Sequence, residues 1–217
     1  MSGEDIKIFG IGLNKSGTTS LDEFFRLAGL SRGTVRLGER LWDDFVSRGE
    51  GSLRPLENYI KTASTFQDVP FSLPGWFRRV HKLEPTAKFI LTTRVSTEGW
   101  VNSITRFHSL LFSSDSSRPP SWSDLRESSY VRPGWIRDLM RVGLGADASD
   151  PYDRTRLGAI YENHNRQVRA YFAGNPNFCE VVVGSGTELS VLSQFLPHLT
   201  SPPEFPHLNA TRELRGG

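Results

Sequence analysis

The chain has 217 residues, 37% of them hydrophobic and 23% charged, which suits one globular domain with a sizeable core and excludes a disordered or fibrous protein. A formal net charge of +2 gives no electrostatic case for nucleic acid or an anionic membrane as partner. A single cysteine, Cys179, excludes an internal disulfide.

The N-terminal stretch MSGEDIKIFGIGL is acidic and lacks the basic-then-apolar pattern of a secretion signal. No window approaches the roughly 18 apolar residues of a membrane span. The expectation is a cytoplasmic protein.

In chain order, Ile6 to Leu13 is a short apolar run that predicts a buried first strand. Leu21, Phe24, Phe25 and Leu27 follow at helical spacing until Gly29 and Gly33 stop the pattern. Residues 37–61 predict one or two amphipathic helices with Leu41, Trp42, Phe45 and Val46 on one face. Ala63 to Gln67 predicts a second strand, ended by Asp68 and Pro70, and Pro74 to Leu83 a helix. The run AKFILTT (87–93) is the clearest strand, followed by a helix over about 98–112. The Ser- and Pro-rich segment 113–124 predicts a mobile loop, and 125–142 a helix broken at Pro133-Gly134. A long helix over 152–172, a strand over 178–183, a helix over 189–196 and an irregular tail over about 198–217 complete the chain. Strands alternating with helices predict an α/β fold of P-loop type, three-layered, with a short, mostly parallel sheet flanked by helices in a single domain over residues 1–217.

The stretch GIGLNKSGTTSL (10–21) lies between the first strand and the first helix. Gly12 and Gly17 keep the spacing of a phosphate-cradling loop, and Thr18 and Thr19 add hydroxyl donors at a helix N-terminus. The lysine, however, is Lys15 inside the loop, with Thr18 where a nucleoside-triphosphatase has its lysine. No convincing hydrophobic strand ends in the aspartate that would hold Mg²⁺, since VVVGSG ends in glycine and serine, which speaks against ATP hydrolysis. The plainer alternative is an ordinary strand-to-helix turn with an exposed lysine.

GLNKSGTTSL resembles the 5′-phosphosulfate loop of PAPS-dependent sulfotransferases (PAPS is 3′-phosphoadenosine 5′-phosphosulfate). AKFILTTRVSTEGWVNSI (87–104) is similar to their 3′-phosphate segment, and FQDVPF, YENHNRQVRAYF and PEFPHLN resemble a bacterial branch of the superfamily. The resemblance covers about residues 6–210. It implies that Asn14, Lys15, Ser16, Gly17, Thr18 and Thr19 hold the 5′-phosphosulfate and that Arg94 and Ser103 hold the 3′-phosphate. This chain departs from the family in having Val-Ser-Thr after Arg94, with Ser103 nine residues on rather than eight. Ser96 and Asn102 therefore stand as rivals for that contact.

The resemblance also implies a base at the end of the second strand, where this chain has Asp68; Lys15 would steady the departing oxygen. A carboxylate tuned by burial can take a proton; equally, an Asp there can simply cap a Pro-containing turn. Among the five histidines, His108 is the rival base, His81 reads as solvated, His164 as tying helix to sheet, and His198 and His207 lie in Pro-rich C-terminal loops, where His207 and Asn209 either belong to a packed tail or close over the nucleotide. No residues have metal-ligand spacing. Trp42, Phe45, Trp76, Phe77, Phe107 and Phe112 can wall an acceptor pocket or form core, with 113–124 as a lid. The implied reaction moves a sulfuryl group from PAPS to a hydroxyl or amine of a small-molecule acceptor by in-line displacement, without a metal. The rivals are a small-metabolite kinase using ATP and Mg²⁺, and a nucleotide-binding protein without catalysis. Oligomeric state is not readable.

Overall fold

A computed structural model describes residues 6–48 and 53–208. In chain order its elements are β1 (Ile8–Gly10), α1 (Thr18–Leu27), α2 (Val35–Arg48), α3 (Arg54–Ile60), β2 (Thr65–Phe66), α4 (Trp76–Leu83) and β3 (Lys88–Arg94). Then follow α5 (Thr97–Phe112), α6 (Trp122–Glu127), α7 (Trp135–Asp138), a widened turn over Leu139–Leu144, α8 (Arg154–Tyr171), β4 (Phe178–Val183) and α9 (Glu188–Phe195). The chain divides into two compact units, one running to Val95 and resuming over Asn165–Leu208, the other Ser96–His164. Residues 49–52, inside the segment expected to hold one or two helices, and the tail from Asn209 onward lie outside the described residues.

The first unit is built on one sheet of four parallel strands in the order β2-β1-β3-β4. Parallel strands need helical crossovers, so both faces of such a sheet are covered and its strands read as continuous apolar runs. Alternation along the strands sorts the two faces. Ile8, Ile90 and Val181 pack with Leu21, Phe24 and Phe25 of α1 and Leu192 of α9. On the other face Phe9 stacks on Phe66 at 5.3 Å and on Phe89 at 5.6 Å, and Phe89 stacks on Phe172 of α8 at 4.8 Å. Tyr59 of α3 and Phe77 of α4 join this aromatic layer. The result is a three-layer α/β fold of P-loop-like kind.

Several elements are shorter than their sequence patterns. β1 stops at Gly10, although Ile11 N still donates to Ile90 O at 2.9 Å, because the chain must turn at Gly12. β2 keeps only two of its expected residues: it is the edge strand, and Asp68 turns the backbone to a φ of 67°. His81, expected to be solvated, is half-buried. Its ring lies 5.3 Å from Phe89 and 5.1 Å from Phe172, with Nδ1 3.1 Å from the Tyr171 hydroxyl. The tail packs as far as it is described: Phe205 is buried in the α1–α9 layer, and Leu208 N donates to Ser20 Oγ at 3.2 Å.

In the second unit, Trp100 of α5 stacks on Tyr161 of α8 at 4.8 Å, and His108 Nδ1 lies 2.6 Å from the Tyr152 hydroxyl. The expected loop over 113–124 ends earlier, since α6 begins at Trp122 behind a capping box made by Ser121 and Asp124. Arg118 ties that loop down, donating to Asp124 Oδ2 at 2.8 Å and to Ser114 Oγ at 2.7 Å. The break at Pro133-Gly134 is present, with Gly134 at a φ of 72° opening α7.

Candidate active site

The loop from Gly12 to Gly17 connects β1 to α1 at the carboxyl end of the sheet. A Cβ on Gly12 would lie 2.3 Å from the Thr92 carbonyl oxygen and 2.6 Å from Ser16 Oγ, so only glycine lets the loop press this closely on β3. Ser16 N donates to Leu13 O at 3.0 Å, which curls the loop, and Ser16 Oγ lies 2.8 Å from Thr92 Oγ1 in the interior. The hydroxyl of Ser16 is thus engaged with β3. Lys15 takes a positive φ of 68°, and Gly17, at 113°, opens α1. The first turn of α1 carries no acidic residue and no side-chain cap, which leaves its N–H groups and the positive end of the helix dipole suited to an anion. Thr18 is buried and Thr19 exposed at that same turn.

Three charged side chains meet at this loop. Arg94, the last residue of β3, donates from Nε to the Lys15 carbonyl oxygen at 2.7 Å. Arg94, which the family resemblance implies for the 3′-phosphate, thus also holds the loop conformation. Burial lowers the Lys15 ammonium to a pKa of about 8; Asp68 opposes the shift and Arg94 adds to it. Asp68, at the end of β2, accepts from Val69 N at 2.9 Å and from Asn14 Nδ2. Its pKa is raised: burial outweighs those hydrogen bonds and the attraction of Lys15. A carboxyl raised above its usual range thus lies beside a lysine lowered below its own.

Asn14, Lys15, Ser16, Gly17, Asp68 and Arg94 thus converge in the first unit. Ser103 lies half-buried on α5, in the second unit. Of its rivals, Ser96 is the N-cap of α5, its Oγ accepting from Gly99 N at 3.0 Å, and Asn102 is exposed. His108 is buried against Tyr152 within the second unit. Of the aromatic candidates, Trp42 and Phe77 are core, while Phe45 packs edge-on to Trp76 at 5.1 Å. Burial pushes the Cys179 thiol up to about 12, so it is not a nucleophile. Among the described residues no cluster of three or more His, Cys, Asp or Glu side chains is placed to hold a metal ion, and no helix is long and apolar enough to cross a membrane.

Sequence reasoning missed Ser72, Thr92 and Tyr59. Ser72 is fully buried and donates to Asn14 Oδ1 at 2.8 Å; burial, with the nearby carboxylates of Asp68, Asp22 and Glu39, pushes the Tyr59 phenol well above its usual value. Ser72 follows the FQDVPF stretch directly and Thr92 lies within AKFILTT, but nothing in the sequence pairs Ser72 with Asn14 or Thr92 with Ser16.

The sulfotransferase domain family matches residues 7–214, nearly the whole chain, and the chain belongs to that family. Its activity is, in the general sense, that of a sulfotransferase. No curated protein matches this sequence closely enough to carry an inference.

Proposed function

We propose that the protein takes a sulfuryl group from PAPS and transfers it to a hydroxyl or amine of a small-molecule acceptor. The observation that carries this reading is the meeting of Lys15, Asp68 and Arg94 around one loop, with Arg94 bonded to the Lys15 backbone. The residues present fit such a donor. Uncapped N–H groups at α1, the Lys15 ammonium and the Arg94 guanidinium supply the positive field that a phosphosulfate and a 3′-phosphate require. When bound, PAPS supplies an activated sulfuryl group on a phosphate leaving group. Asp68 takes the proton of the acceptor, its raised pKa making it a stronger base than an exposed carboxylate. Lys15 stabilises the negative charge that develops on the bridging oxygen. Ser16 supports the loop from within, since its hydroxyl is turned to Thr92.

Thermal-shift titration with 3′-phosphoadenosine 5′-phosphate, ATP and AMP, each with and without Mg²⁺, tests the donor. A ligand at a hundred times its dissociation constant stabilises by about 2.7 kcal/mol, a readily measured shift. The expected result is a preference for the 3′-phosphorylated nucleotide, indifferent to Mg²⁺ and lost in Arg94→Ala. A Mg²⁺-dependent preference for ATP would replace this reading with the kinase.

A further inference from the structure

Asp68 is held by more than its own backbone. Its carbonyl oxygen accepts from Ser72 N at 2.9 Å, which turns the chain back on itself. Ser72 Oγ then donates to Asn14 Oδ1 at 2.8 Å, and Asn14 Nδ2 donates to Asp68 Oδ1. Three hydrogen bonds close a ring through Asp68, Ser72 and Asn14, and a fourth from Val69 N, at 2.9 Å, fixes the same carboxylate oxygen.

The ring has a direction. A carboxylate only accepts, so the amide of Asn14 must present its NH2 end to Asp68. A hydroxyl donating to Asn14 Oδ1 keeps the carbonyl end turned away. Ser72 has that role, and among the described residues its hydroxyl makes no other hydrogen bond. Being fully buried, it does not reach an acceptor or a nucleotide.

We propose that Ser72 is a positioning residue that acts through Asn14 to aim the Asp68 carboxylate and to fasten it to the loop carrying Lys15. This rests on the reading of Asp68 as the proton acceptor. Asn14 is the residue immediately before Lys15, so the base and the cation of the leaving group share one rigid segment. A base tied in this way keeps its distance to the sulfuryl group set by the loop that binds the donor. Misplacement of about 1 Å at such a site can cost a factor of about 100 in rate.

The groups facing Asp68 are Lys15 from the loop, Asp22 from α1 and Tyr59 from α3, with Glu39 of α2 also facing Tyr59. Asn14 and Lys15 draw the carboxyl pKa down; burial and Asp22 push it up. Loss of the relay therefore moves it further up.

The test is a ¹³C NMR titration of the Asp carboxyl carbons in the wild-type protein, Ser72→Ala and Asn14→Ala, with Asp68→Asn to assign the resonance. The Asp68 midpoint should rise by about half a unit or more in both variants, a shift well within the range such bonds produce. In Ser72→Ala, kcat for sulfuryl transfer should fall and the acid limb of its pH profile move up by the same amount. Affinity for 3′-phosphoadenosine 5′-phosphate should stay unchanged. An Asp68 midpoint that stays in place in Ser72→Ala and Asn14→Ala overturns the relay. A midpoint that moves in a protein with no turnover of PAPS supports the relay and sinks the reading of the activity instead.

Discussion

At Lys15 stability and the proposed function pull in opposite directions. It sits in a left-handed backbone conformation, and burial brings its ammonium down to about 8 from a model-compound value of 10.5. The folded protein therefore holds fewer protons than the unfolded chain between these two values, and stability contributed at this site rises with pH across that window. Below it the charged lysine is a standing cost. Lys15→Met should raise the melting temperature at pH 7, and by less as the pH approaches 10. The same variant should lower kcat by about 100-fold or more, the usual effect of removing one preorganised group that stabilises transition-state charge. A Lys15→Met protein with full turnover and no gain in melting temperature would contradict both halves of this reading. With Asp68 poised above its usual range and Lys15 near 8, kcat/KM should follow a bell. Its acid limb belongs to the carboxyl and its alkaline limb lies near the lysine value.

At the scale of elements, the loop between β1 and α1 is shaped by what it presses against. Gly12 meets the Thr92 carbonyl oxygen and Gly17 meets Val183, where added Cβ atoms would come within 2.3 Å and 2.6 Å. The Thr92 carbonyl is backbone of the central sheet and yields little. Gly12→Ala should destabilise by about 1–3 kcal/mol, the usual cost of overpacking, measured as a lower urea midpoint with unchanged m-value. The loop should also lose nucleotide affinity, because Arg94 grips it at Lys15 O. Ser96 belongs to a different element. Its hydroxyl caps α5, so it is committed to starting that helix behind β3.

At the scale of the whole molecule, the first unit owes its stability to two dissimilar layers on one parallel sheet, aliphatic with Phe24 and Phe25 on the α1–α9 side and aromatic on the other. Phe172 is the hub of the aromatic side, touching Phe77, Phe89 and Phe178, with centroids at 6.1, 4.8 and 5.2 Å. Phe172→Ala should cost about 3–5 kcal/mol in equilibrium unfolding. A cost under about 1 kcal/mol would mean that the layer repacks around the loss.

Much of this was legible in the chain. β3 and β4 are largely apolar runs of seven and six residues whose pattern is local, and both lie where the sequence put them, within a residue. The loop was legible for the same reason: glycine spacing and the strand before it are neighbours in sequence. The paired charges Lys15 and Arg94 could be named as types at element ends, because strand ends of a parallel sheet gather at one edge. What only the tertiary structure decided was how these groups hold one another. Asn14 and Asp68 are 54 residues apart, Asn14 and Ser72 58, and Arg94 and Lys15 79. Hydrogen bonds across such separations leave no periodicity in a sequence. They depend on side-chain direction at a few angstroms, which is set only when β1, β2 and β3 lie side by side.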